Sequence, residues 1–284
     1  MNKELLIKDV LSPDAFIISP LVGGMMNDSS IVSSRGKKYV LYISTEQANE
    51  MVNRELEKEN HSLVYSLGIT SKNVYFDIQN GIKINEFIEG SSLDKVSKYD
   101  LKKVASLMHV LHDSNKLSKE DYKPFERFIN YENEANSFSK EIDKDYQLLR
   151  KVIFDNKDYL ESQKMTLCHN DAQKSNIVKS LDDKYFFIDF EFMGNNDPIY
   201  DIATFGNGTV EEGFALLNEY APTPSEDLKR RYYLWRIFVS LQWYNVALVK
   251  HYRGEGEIHH FNFLSVAAFF LQNALTAYKY LLKL

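Results

Sequence analysis

The stretch from Leu167 to Ala203 constrains this chain more than any other part of it. It reads LCHNDAQKSNIVKS and then, after a short gap, YFFIDFEFMGNNDPIYDIA. Two apolar runs, Ile177–Lys179 and Tyr185–Asp189, flank Asp182-Asp183 and predict a small hairpin. His169, Asp171 and Asn176 precede that hairpin, and Asp189 ends its second run. A carboxylate at the mouth of a buried strand needs a counter-charge, because an isolated buried charge is costly. The fold must therefore hold a polar loop and a charged strand end at fixed separation.

The chain before this segment divides in two. Residues 28–34 and 38–45 are strand-like and flank Arg35-Gly36-Lys37, a turn, while residues 21–27 form a glycine-bearing bend. From Thr45 to Leu67 the pattern is helical and ends at Gly68, a plausible residue to follow a helix. VYFDI and GIKINEF then flank Gln79-Asn80-Gly81, and Asn-Gly between β-rich runs signals a hairpin. After Gly90 the pattern turns helical. Residues 100–113 align Leu101, Val104, Ala105, Leu107, Met108 and Leu111 on one stripe, and further helices are expected over 125–140 and 143–162. Thr223-Pro224-Ser225-Glu226 predicts a helix start with Thr223 as the cap. The expected architecture is α+β: a small antiparallel-sheet lobe over 1–88 and a large, mostly helical lobe over 89–284, with a connector near Glu86–Gly90.

Composition excludes some partners. The formal charge is −6, which argues against a nucleic-acid backbone as the main partner and suits a cationic small molecule. The one cysteine, Cys168, allows no intrachain disulfide and reads as a small buried hydrophobe. The N-terminus lacks a signal-like apolar run, and the greasiest stretch, FNFLSVAAFFLQNALTAYKYLL, is broken by Asn262, Gln272, Asn273 and Lys279. The expectation is a cytoplasmic protein without membrane insertion. The sequence leaves its oligomeric state open.

The order Asp171, Asn176, Asp189 suits phosphoryl transfer. One Asp can accept a hydroxyl proton, while Asn and a strand-end Asp are hard-oxygen donors suited to magnesium on a nucleoside triphosphate. The chain lacks G-x-x-x-x-G-K-[ST], so a Walker-type loop is excluded. The motifs His169-Asn170-Asp171-x-Gln173-x-x-Asn176-Ile177 and Ile188-Asp189-Phe190-Glu191-Phe192 resemble those of choline/ethanolamine kinases, within the aminoglycoside phosphotransferase and protein-kinase-like superfamily. Gly23-Gly24-Met25-x-Asn27, Asn53-Arg54-x-x-Glu57 and Asp197-Pro198-x-Tyr200-Asp201-Ile202-Ala203 extend the resemblance to bacterial choline kinases. It spans about Gly23 to Trp243 and implies a protein-kinase-like two-lobed fold.

The resemblance also implies roles. Asp171 would orient and deprotonate the acceptor, Asn176 and Asp189 would ligate Mg²⁺ on ATP, and Glu191 would support a second metal or the acceptor side. His169 and Gln173 would support the loop. Gly24 and Asn27 would belong to a phosphate-covering loop, and Glu86 and Ile88 to an adenine-reading hinge. Tyr200 and Trp243 would receive a cation such as choline, with Asp197, Asp201 and Glu191 as nearby carboxylates; Trp235 reads as core. One departure stands out. The family places Lys or Arg on the third strand to grip the phosphates and pair with a helix Glu, here Glu57, but Tyr42 occupies that position. Tyr supplies no permanent charge. Lys38, Arg54 or Lys174 would have to substitute, or nucleotide would be held mainly by magnesium and the loop. The alternatives are a kinase for ethanolamine, thiamine, a sugar or an aminoglycoside, or a non-catalytic nucleotide- or choline-binding relative.

Overall fold

The computed structural model describes residues 2–21, 27–139, 143–259 and 261–284. In chain order the elements are α1 (Lys3–Val10), β1 (Phe16–Leu21), β2 (Asn27–Ser34), β3 (Lys37–Ser44), α2 (Glu46–Met51), α3 (Arg54–Tyr65), β4 (Asn73–Asp77), β5 (Ile82–Glu86) and β6 (Gly90–Ser92). There follow α4 (Leu101–His112), α5 (Pro124–Phe138), α6 (Lys144–Asp155), α7 (Lys157–Glu161), β7 (Thr166–Cys168), β8 (Ile177–Ser180), β9 (Tyr185–Phe187) and β10 (Gly194–Asn196). The last are α8 (Pro198–Phe205), α9 (Val210–Tyr220), α10 (Glu226–Tyr252), α11 (Glu255–His259) and α12 (Phe263–Leu281). The chain forms two compact units. The first comprises Met1–Tyr99, Ser118–Glu120 and Lys174–Met193; the second comprises Asp100–Leu117, Asp121–Gln173 and Gly194–Leu284.

The first unit is built on a five-stranded antiparallel sheet in the order β1-β2-β3-β5-β4. Alternation sorts its side chains. Leu41, Ile82 and Ile84 share a core with Val32, Ala15 and Ile7 of α1. On the strands next to that core, Tyr42 and Lys83 are direct cross-strand partners and so occupy the opposite face. The predicted β4–β5 hairpin is present, with Gly81 at φ 62°, a value few residues other than Gly adopt readily. The single helix expected over 45–67 is instead two, because Asn53 caps a new start: its side chain accepts from Leu56 N–H at 3.1 Å. The buried stripe of α3 is Arg54, Glu57, Asn60, His61 and Val64, an unusually polar one.

A three-stranded sheet, β6-β8-β9, completes this unit. It makes the unit differ from a cut after residue 88, since Gly90–Ser92 pairs with Ser180–Val178 and brings Lys174–Met193 with it. Gly90 has to be small there: a Cβ would collide with the Lys179 carbonyl.

The second unit is helical around α10, which packs against α12, α5, α8 and α6. Trp235, Phe238, Tyr232, Leu234 and Ile237 of α10 are all buried. The start of α10 lies two residues beyond the expected cap. Ser225, not Thr223, accepts from Leu228 N–H at 3.1 Å, and Thr223 has φ 58° outside the helix. Both residues carry a hydroxyl, but only Ser225 is followed by two acids, Glu226 and Asp227, in the first turn, where the helix dipole favours negative charge. No described helix is long and apolar enough to cross a membrane.

Candidate active site

In the first unit a chain of buried charges covers the sheet face that carries Tyr42. Lys83 forms an ion pair with Glu57, and its Nζ lies 3.4 Å from Asp189 Oδ1. Arg54 pairs with Glu57 at 2.6 Å and with Glu191 at 3.2 Å. Asn27 Nδ2 donates to Glu191 at 3.2 Å and Asn27 Oδ1 accepts from Ser44 Oγ at 3.0 Å. Burial opposes ionisation of Glu57, but Lys83 and Arg54 outweigh it and hold the carboxyl below its usual range. Burial likewise lowers Lys83, yet Glu57, Asp189 and Glu191 together hold its ammonium above its usual range. For Glu191, burial and then the Asp189 charge push the carboxyl up to about 8, against the opposing pull of Lys83 and Arg54. Two cations, Lys83 and Arg54, thus sit among three carboxylates, Glu57, Asp189 and Glu191.

These contacts correct the expectation at Tyr42. Burial and the neighbouring carboxylates push its phenol up to about 12, so it carries no charge, but its ring lies 5.1 Å from Lys83 Nζ. The cross-strand partner on β5, Lys83, places a cation on the same face. Glu57 keeps two basic partners, Lys83 and Arg54, the second of them one of the expected substitutes, whereas Lys38 pairs with Glu89. The proposed non-catalytic relative loses its motive. Sequence reasoning missed Lys83 because Ile82-Lys83-Ile84 alternates as a half-exposed strand does; the polar face is covered by α3, and Lys83 is only 5% exposed.

Asn176 and Asp189 belong to this same unit. Ile188 N–H donates to the Asn176 carbonyl at 3.0 Å, fastening the two segments together. Asp189 has φ 66°, a strained value for a non-glycine residue, and keeps a side chain 29% exposed. Glu86 and Ile88, with Phe87, Glu89, Leu181 and Phe186, line a cleft of about 430 Å³. Gly24 lies outside the described residues.

In the second unit the loop carrying Asp171 is anchored by one carboxylate. Asp201, wholly buried, accepts from the backbone N–H of His169 at 2.8 Å and of Asn170 at 2.7 Å, and pairs with His112 Nε2 at 3.0 Å. His112 Nδ1 meets Tyr220 Oη at 3.0 Å. Asn170 sits at φ 63°, a region Asn tolerates better than most residues. Its amide donates to the carbonyls of Cys168 and Gly194, and its Oδ1 accepts from Asn196. Asp171 N–H donates to His169 Nδ1 at 3.3 Å, and Gln173 Nε2 donates to Asp171 Oδ2 at 3.2 Å. Burial, then Asp201, pushes the Cys168 thiol well up, as befits a small core residue.

The acceptor-side expectations fare unevenly. Asp201 is spent on the loop and His112, so it is no cation partner. Asp197 caps α8 through Ile199 N–H and accepts from Trp235 Nε1 at 2.7 Å, which also makes Trp235 core. Tyr200 is buried against Tyr122, Trp235 and Phe238, whereas half-buried Trp243 stacks on Phe270; the two are not ring partners of each other. The Asp171 charge contributes to raising Tyr131, pushed up to about 12 chiefly by burial, and Tyr200, so both phenols lie within its electrostatic reach.

Known proteins give this geometry a context. The sequence profile of the choline/ethanolamine kinase family matches residues 18–233. A Haemophilus influenzae protein named LicA is 27% identical over 250 residues, which cover 82% of this chain and 74% of that protein. The crystal structure of choline kinase LicA from Streptococcus pneumoniae aligns with TM-score 0.76 and 26% identity over 96% of each chain. A structure of LicA in complex with AMP aligns with TM-score 0.74, also at 26% identity, over 96% of this chain and 97% of that one. The fold is protein-kinase-like. With three-quarters of its length inside the profile, this chain belongs to the choline/ethanolamine kinase family and is a small-molecule kinase that transfers a phosphoryl group to an alcohol.

Proposed function

We propose that this kinase uses ATP with Mg²⁺ and that its acceptor is choline or a close amino alcohol. The observation that carries the acceptor reading is the match, over nearly the full length of both chains, with a protein named as a choline kinase. The AMP bound to a LicA relative supports adenine nucleotide as the donor. In this reading Asp171 takes the acceptor's hydroxyl proton. Gln173 holds one of its carboxylate oxygens, and the Asp201 anchor fixes the backbone beneath it. Such a base contributes by orientation and proton transfer together.

Asn176 and Asp189 fit magnesium by donor type: an amide oxygen and a carboxylate, both hard, with Asp189 partly open. When bound, the ion would neutralise charge on the triphosphate. Glu86 and Ile88 would serve the base through backbone groups in their cleft. On the acceptor side, Trp243 retains a partly open face for a quaternary ammonium, while Tyr200 would act from within, bracing Tyr122. The reading assigns the protein to the cytoplasm, where ATP is plentiful.

The test is ADP release and product detection with choline, ethanolamine, thiamine, a sugar and an aminoglycoside, with and without EDTA. Phosphocholine formed with the highest kcat/KM, and abolished by EDTA, is the expected result. Preference for an aminoglycoside or a sugar would refute the acceptor assignment and leave the kinase assignment standing.

A further inference from the structure

We propose that Lys83 of β5 is the residue that grips the triphosphate, in place of a basic residue on β3. The inference rests on the ATP-dependent kinase reading and names one of its specificity-bearing contacts. Tyr42 and Lys83 are direct antiparallel partners, so their side chains leave the sheet on one face a few ångströms apart. A charge required at that face can therefore come from either strand.

The cluster has a cation more than Glu57 requires. Arg54 satisfies Glu57 at 2.6 Å and reaches on to Glu191. Burying a second cation, the Lys83 ammonium, beside the same carboxylate costs desolvation that a structural pair does not recover well. An ammonium has three donors. Among the described residues Lys83 finds two acceptors, Glu57 and Asp189, and 3.4 Å is long for a charge-assisted bond to the latter. A donor remains for an anion, beside a carboxylate of the kind that holds magnesium. Phosphate oxygens meet both requirements, and Tyr42 beneath Nζ keeps the amine in place without adding charge.

Binding of ATP and of adenosine to the full-length protein, each titrated with magnesium present, tests this. For Lys83→Met the affinity for ATP should fall about 10²-fold, comparable to loss of one charge-stabilising donor. Adenosine affinity and the acceptor KM should stay within about twofold. The double variant Tyr42→Arg, Lys83→Met should recover at least tenfold of the ATP loss. If Lys83→Met does not fold, Lys83→Gln, which keeps a donor for Glu57, carries the same measurement. Unchanged ATP affinity, or ATP and adenosine affinities falling in parallel, would overturn the assignment. A wild-type protein that binds ATP but phosphorylates none of the alcohols would refute the acceptor reading instead, leaving the binding result intact.

Discussion

The two units hold their polar groups by different means. In the first, Arg54, Glu57, Lys83, Asp189 and Glu191 are long or flexible side chains that neutralise one another across α3, β5 and the segment after β9. In the second, a single short carboxylate, Asp201, fixes backbone N–H groups directly. A charge cluster needs the right sum at the right face and tolerates a change of strand, so Tyr42 can stand where a cation is expected while Lys83 supplies it. A backbone anchor needs one atom at one place and tolerates no such relocation. The first design is adjustable and the second is rigid, as suits a loop whose Asp171 has the proposed task of meeting a hydroxyl.

That contrast can be broken most directly at Asp171. Asp171→Ala should lower kcat about 10³-fold while the thermal unfolding curve stays put, since the proposed role of the residue is chemistry and the anchor is Asp201. Normal turnover would remove it from the mechanism. Next is the anchor itself: Asp201→Ala strands two buried N–H groups and His112, and should cost about 3–4 kcal/mol in urea unfolding. A cost under about 1 kcal/mol would place the second unit's loop among the adjustable features.

The charge cluster makes a pH prediction. His61, buried beside Phe190, is lowered to about 4 by burial and then by Lys83. The unfolded chain therefore binds more protons between about pH 6.5 and 4. The stability that comes from keeping His61 neutral is complete above 6.5 and is lost as pH falls through that window, by at most about 3 kcal/mol. His61→Phe should flatten the fall in melting temperature over pH 4–7 relative to wild type; parallel curves would deny the coupling. The smallest effect is expected at Trp235, whose Nε1–H serves the buried Asp197 carboxylate. Trp235→Phe should cost about 2 kcal/mol by the same unfolding measurement, with turnover retained.

Much of the first unit was legible in advance because its signals are local. Asn80-Gly81 marks a hairpin in any context, and Asp182-Asp183 between two apolar runs marks another. What escaped were features that depend on who covers whom. Asn53 splits a helix because its side chain finds Leu56 N–H, and Ser225 outcompetes Thr223 as a cap for the same kind of reason. Gly90 joins β6 to β8 across some ninety residues. Asp201 looked like a carboxylate for a cation, and only its neighbours reveal that it is consumed by the loop backbone.

The linear order of residues thus determined the element types and the helical and sheet-rich halves, because periodicity and turn chemistry are properties of neighbours along the chain. Tertiary structure alone decided that Lys83 is a buried cation, that the Glu191 side chain lies buried beside Arg54 and Asn27, and that Asp201 is an anchor. Burial and cross-strand register set those outcomes, and both arise from segments far apart in sequence meeting in space.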